Sequence, residues 1–131
     1  MKTKHRIMII DDDRSLSEMV KLNLECTNDF EVLVENQSLR AVNSARNFAP
    51  DLILLDYIMP GLDGGDVAKA LKEDRHLSRV PVIMITALIS NQEMDENGTS
   101  TRGGQLMLAK PIKFENLQRT IQTVLAQQDA A

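Results

Sequence analysis

Apolar residues gather along this chain in five short runs, at 6–11, 30–35, 51–56, 81–86 and 105–109. Segments of helical length separate the runs. From Arg14 to Cys26, Leu16, Met19, Val20 and Leu24 form one stripe, which predicts a first helix with these residues inward. Phe114 to Gln127 is more regular, with Phe114, Leu117, Ile121, Val124 and Leu125 following the i, i+3, i+4 rule. Segments 38–49 and 64–74 carry Val42, Ala45, Val67, Ala70 and Leu71 at compatible spacing. Strands that are apolar on both faces and alternate with helices predict a parallel sheet covered on both sides. The expected architecture is a doubly wound, five-stranded α/β domain. Ligands bind such a domain outside the carboxyl ends of its strands.

One stretch breaks the alternation. Ser90 to Gly104 reads S-N-Q-E-M-D-E-N-G-T-S-T-R-G-G, with one apolar residue and three glycines. A fourth helix has almost no stripe to bury there. The expectation is a helical turn at most, followed by a mobile loop. The Asn97-Gly98-Thr99 match to a glycosylation acceptor is read as accidental. Gln127 to Ala131 reads as a short tail after the last helix, within a single domain spanning 1–131 and a core of about 6–126.

Composition narrows the function. At 131 residues, with 43% apolar and 26% charged residues, the chain is of a size and makeup to bury the core of one globular domain. No apolar stretch approaches the ~20 residues that span a bilayer. The basic start leads straight into a strand-length run, unlike a signal peptide. The single cysteine, Cys26, excludes an internal disulfide and fits a reducing cytoplasm; it is expected to be buried or half-buried on a helix. A net charge of −4 argues against nucleic acid as the main partner, because phosphate backbones reward dense positive charge.

The chemistry concentrates at two strand ends. Asp11-Asp12-Asp13 closes the first run and Asp56 closes Leu52-Ile53-Leu54-Leu55. If those ends are neighbours, carboxylates lie within ~5 Å of one another and repel by roughly 3 kcal/mol at an effective dielectric of ~20. A cation or a proton must offset that. Helix capping accounts for one of the three, and Asp13 ahead of Arg14-Ser15 suits it. Asp11 and Asp12 remain as hard oxygen ligands of the kind Mg²⁺ takes, with Asp56 opposite. A carboxylate beside such a metal can act as a nucleophile toward phosphorus. Asp63-Gly64 reads as a turn opening the next helix. Thr86 and Lys110 end the fourth and fifth runs. Each is unremarkable alone, but on this edge Lys110 can pair with Asp56 or with a phosphoryl oxygen. Lys110-Pro111 is a position where a cis peptide is accessible. His5 and His76 stand without partners at metal-ligand spacing and read as surface residues. Tyr57 reads as packing.

Four segments, I-M-I-I-D-D-D, D-L-I-L-L-D-Y-I-M-P-G-L-D-G, V-P-V-I-M-I-T-A-L and L-A-K-P-I, together resemble the receiver domain of two-component response regulators. Their order and intervals agree with that family from residue 6 to about 126. The resemblance implies a flavodoxin-like fold and a phosphoacceptor switch in a phosphorelay. Asp56 would take a phosphoryl group from a phosphohistidine on a sensor histidine kinase or histidine phosphotransfer protein. Asp11, Asp12, Asp56 and the backbone carbonyl of Ile58 would hold Mg²⁺, while Lys110 and Thr86 would contact the phosphoryl oxygens. It implies a cytoplasmic protein that relays its state to a downstream protein, with no direct contact to nucleic acid or membrane. Such a domain is no enzyme in the turnover sense; it phosphorylates itself from a donor and slowly loses the group.

This sequence departs from the family pattern at Met107, where an aromatic commonly stands, and between Thr86 and Lys110, which is slightly long. Apolar Ile58 and Leu88 flank the acceptor, and a long-lived phosphoryl group is the expectation from them. With no output domain read within these 131 residues, the expectation is either a receiver that acts alone through protein contact or one domain of a longer regulator. A receiver-like interaction module that works without phosphorylation is the alternative. A metal-dependent phosphohydrolase usually needs a second carboxylate two residues after the nucleophile, where Ile58 stands. A nucleotide- or flavin-binding domain should open its first helix with a glycine-rich cradle, not three aspartates.

Overall fold

The computed structural model describes residues 4–57, 64–86, 99–102, 105–110 and 112–130. The elements run β1 His5–Ile10, α1 Arg14–Glu25, β2 Phe30–Glu35, a 3-10 turn Ser38–Arg40, α2 Ala41–Phe48, β3 Leu52–Asp56, α3 Gly64–Glu73, β4 Val82–Thr86, β5 Thr99–Arg102, β6 Gln105–Ala109 and α4 Phe114–Ala130. One sheet contains all six strands in the order β2-β1-β3-β4-β6-β5. The five strands read from the sequence are mutually parallel.

Period-two alternation along the strands divides the core into two layers. Ile7, Ile9, Leu52, Leu54, Ile83, Ile85 and Leu108 pack with Val20 and Leu24 of α1 and Leu117, Ile121 and Leu125 of α4. Met8, Ile10, Ile53, Leu55, Met84 and Met107 pack on the other face with Ala41 and Ala45 of α2 and Val67, Ala68 and Leu71 of α3. Side chains such as Ile7, Leu54 and Ile83 are essentially fully buried, each contributing about 1.5–3 kcal/mol by leaving water. Both faces of the central strands therefore need apolar residues, which is why their sequences are continuous apolar runs.

Four features differ from the sequence expectations. Residues 99–102, expected in a loop, form β5, which pairs antiparallel with β6 from Thr99↔Leu108 to Arg102↔Gln105. A polar Thr-Ser-Thr-Arg segment can do this because the ladder is made of backbone groups. The rest of the expected loop, residues 90–98 and 103–104, lies outside the described residues. Met19, expected on the inward stripe of α1, is 52% exposed. It precedes Val20 by one residue, about 100° around the helix, and Ser17 is buried on the inward face instead. Cys26 is exposed because it caps the C-terminus of α1 rather than facing the core. The last helix continues through the expected tail to Ala130.

The topology places the functional edge. β1 lies between β2 and β3, so the chain passes to one side of β1 and then to the other. This reversal opens a crevice at the carboxyl ends of β1 and β3. Asp11 and Asp56 sit at those two ends.

Candidate functional site

Each strand delivers one element of the site. Asp11 directly follows β1, and its N–H donates to the carbonyl of Glu35 at the end of β2 (3.1 Å). The Asp11 carboxylate turns back locally, its Oδ1 accepting the N–H of Asp13 at 2.9 Å. Asp13 is the N-cap of α1, its side chain accepting from the Leu16 N–H at 3.0 Å. The capping assignment made from the sequence therefore holds. It leaves Asp11 and Asp12 for other work.

Carboxylate oxygens of Asp11, Asp12 and Asp56 lie within 4.8 Å of one another. Asp11 and Asp56 are buried, while Asp12 faces solvent. Three negative charges so close repel strongly, and Lys110 supplies the counter-charge. Its Nζ is 3.2 Å from Asp56 Oδ1 and 3.6 Å from Asp11 Oδ2. Burial works against the Lys110 ammonium, yet the Asp11 and Asp56 carboxylates outweigh that cost and hold its pKa above the ordinary lysine value.

Lys110 reaches this point because its N–H donates to the Thr86 carbonyl at 2.9 Å, adding one rung beyond the Thr86↔Ala109 pair. Thr86 itself is buried at the end of β4. Asp56 is aligned with Ile85 across β3 and β4, and the next residue, Tyr57, donates its N–H to the Ile85 carbonyl at 3.0 Å. Asp11, Asp12, Asp56, Thr86 and Lys110 thus all lie at one edge, as expected. Ile58, Leu88, Asp63 and Pro111 lie outside the described residues. Tyr57 packs against the core layer of α2 and α3, and His76 is exposed.

One contributor, Asn36, went unread in the sequence, and Gly64, read there as the start of a helix, has a second role. Asn36, just past β2, donates its side-chain amide to the Asp11 carbonyl at 2.6 Å and to Ser17 Oγ at 3.1 Å. The signal was its position, since β2 ends on the same sheet edge as β1. Gly64, the first residue of α3, donates its N–H to the Tyr57 carbonyl at 2.6 Å. A Cβ there would stand 2.5 Å from Tyr57 Cα and 2.6 Å from the Asp56 carbonyl oxygen. Only glycine lets α3 begin directly against the strand end that carries Asp56.

Three clustered carboxylates, two of them buried, a lysine and a hydroxyl at the carboxyl edge of a parallel sheet are chemically suited to hard cations and phosphoryl oxygens. Comparisons with known proteins agree with it. A family model for the response regulator receiver domain matches residues 7–122. Protein PilH of Pseudomonas aeruginosa is 37% identical over 122 residues, covering 92% of this chain and 98% of PilH. The DNA-binding dual master transcriptional regulator RpaA of Synechocystis is 33% identical over 95% of this chain. The chain spans 50% of the length of RpaA and 53% of that of the DNA-binding response regulator MtrA of Mycobacterium tuberculosis. The chemotaxis response regulator CheY4 of Vibrio cholerae superposes with a TM-score of 0.76 at 26% identity, covering 93% of this chain and 99% of CheY4. The chain belongs to the response regulator receiver domain family.

Proposed function

We propose that this chain is a phosphoacceptor switch in which Asp56 takes a phosphoryl group from a phosphohistidine on a sensor kinase or phosphotransfer protein. The observation that carries the reading is the convergence of Asp11, Asp12 and Asp56 within 4.8 Å at the crevice, with Lys110 in ion-pair contact with Asp11 and Asp56. In the transfer, an Asp56 carboxylate oxygen forms a bond to phosphorus as the phosphorus–nitrogen bond breaks. The imidazole of the donor leaves with its bonding electron pair and takes up a proton. Lys110 is placed to move from the Asp56 carboxylate to a phosphoryl oxygen, and the Thr86 hydroxyl lies on the same edge. Catalysis here is positioning and charge neutralisation.

Asp11, Asp12 and Asp56 fit Mg²⁺, because three hard oxygen donors lie within 4.8 Å and Mg²⁺ prefers a few carboxylates plus water and phosphate oxygens. When bound, Mg²⁺ supplies positive charge that offsets both the carboxylates and the incoming phosphoryl group. The domain modifies its own side chain once per donor and turns over no separate substrate. We read that chemistry as a signalling event in the cytoplasm, read out by a protein partner; the net charge of −4 argues against nucleic acid as the direct partner of this chain.

Incubation with Mg²⁺ and acetyl phosphate, followed by intact mass spectrometry, tests the reading. The wild type gains one phosphoryl group and Asp56→Asn gains none. Failure of the wild type to gain mass while it binds Mg²⁺ would favour an interaction module that works without phosphorylation.

A further inference from the structure

Asp11 is held from two sides. Its N–H donates to the Glu35 carbonyl and its own carbonyl accepts from the Asn36 side chain at 2.6 Å. The first is a backbone rung; the second continues the β1–β2 ladder with a side chain past the end of both strands. The same Asn36 nitrogen donates to Ser17 Oγ at 3.1 Å, and the Ser17 hydroxyl donates to the Asp13 carbonyl at 2.8 Å. One amide thus joins the end of β1 to the first turn of α1, across the three aspartates. The orientation is dictated chemically, since a backbone carbonyl only accepts and the amide nitrogen must face it.

The segment carrying Asn36 is itself anchored. The Glu35 carboxylate accepts the Gln37 N–H at 3.0 Å and a hydrogen bond from the Ser44 hydroxyl of α2. Among the described residues, the Asn36 amide hydrogen-bonds the Asp11 carbonyl and Ser17 Oγ, not the carboxylates or Lys110. Its effect must pass through Asp11.

We infer that Asn36 is a positioning residue for the metal site: by fixing the Asp11 peptide, and through Ser17 the Asp13 turn, it aims the Asp11 carboxylate into the crevice. The inference rests on the reading of Asp11 as a Mg²⁺ ligand. Residues that orient metal ligands in this way carry about 10–100-fold of metal affinity.

The test is calorimetric titration of the unphosphorylated chain with Mg²⁺, at a temperature where circular dichroism shows each variant folded. Asn36→Ala should weaken Mg²⁺ about tenfold. Ser17→Ala, which keeps the bond to Asp11 and removes the second anchor, should weaken it less, by about two- to threefold. Val32→Ala, which opens a cavity within β2 away from the edge, should lower thermal stability and leave Mg²⁺ affinity within twofold, separating orientation from general loosening. Wild-type affinity in Asn36→Ala would overturn the inference, as would an equal loss in Val32→Ala. If Asn36→Ala does not fold, wild-type affinity in Ser17→Ala overturns it instead. A wild-type chain that binds no Mg²⁺ would overturn the acceptor reading itself, a different outcome from either.

Discussion

Lys110 Nζ lies 3.2 Å from Asp56 Oδ1, on a lysine tied by its own N–H to the Thr86 carbonyl. The contact links Asp56 at the end of β3 to the ends of β4 and β6. It also makes the lysine the resident counter-ion of a site whose carboxylates would otherwise repel. Lys110→Met should therefore destabilise the metal-free protein by about 1–2 kcal/mol, with Mg²⁺ restoring much of the loss. Because the folded-state pKa of Lys110 is raised, its stabilising contribution is complete below the ordinary lysine value of 10.5 and fades as pH climbs through the raised value. Urea unfolding of wild type and variant at neutral pH and above 10.5 measures both effects. A variant as stable as wild type without metal would contradict this role.

Metal should stabilise the fold by mass action. At tenfold the dissociation constant, Mg²⁺ adds about 1.4 kcal/mol, and for a domain of this size that raises Tm by about 5 °C. Asp12→Ala removes one of the three carboxylates while leaving the Asp13 cap intact, so the Mg²⁺-dependent rise should largely vanish. Thermal unfolding with and without Mg²⁺, with Ca²⁺ as a comparison ion, reads the difference directly.

Gly64→Ala should cost about 2 kcal/mol or more and slow phosphorylation. The added methyl meets backbone at Asp56 and Tyr57, which cannot rotate out of the way. Denaturant midpoints give the first quantity and acetyl phosphate kinetics the second. Gly65→Ala is the control, because Gly65 is exposed one residue later on the same helix.

A second ion pair sets the acid side of the stability profile. Burial raises the pKa of Asp74, but the Arg46 guanidinium and the His76 N–H more than offset it, leaving the carboxyl below its ordinary value. The stabilisation is then present above pH 3.8 and is lost as pH falls through the lowered value. Asp74→Asn should lie below wild type at pH 6 and converge with it in acid. A constant gap across that range would contradict the assignment.

How far the sequence could be read depended on where the information lay. Continuous apolar runs ending in Asp56 and Thr86 specify both the strand and its functional end, so parallel order and site edge were legible together. Lys110 was readable for the same reason. β5 was not, since Thr99-Ser100-Thr101-Arg102 has no apolar alternation and is ordered by backbone pairing with β6. Met19 misled because the helical stripe has an edge, and a residue one position from Val20 can fall outside it. Asn36 acts through a backbone carbonyl, which leaves no residue pattern, while Asp63-Gly64 marked a helix start but not the close approach of Gly64 to the end of β3. Both contacts depend on which strand ends lie side by side, which is a property of the sheet order.

The central claim is that Asp56 is the phosphorylated atom group. Reductive trapping tests it most directly: the chain is phosphorylated with Mg²⁺ and acetyl phosphate, treated with borohydride to convert an aspartyl phosphate to homoserine, and mapped by peptide mass spectrometry. The account predicts homoserine in place of Asp56 and unmodified Asp11, Asp12 and Asp13. Homoserine at one of those three, or none anywhere after full exposure to donor and metal, would contradict it.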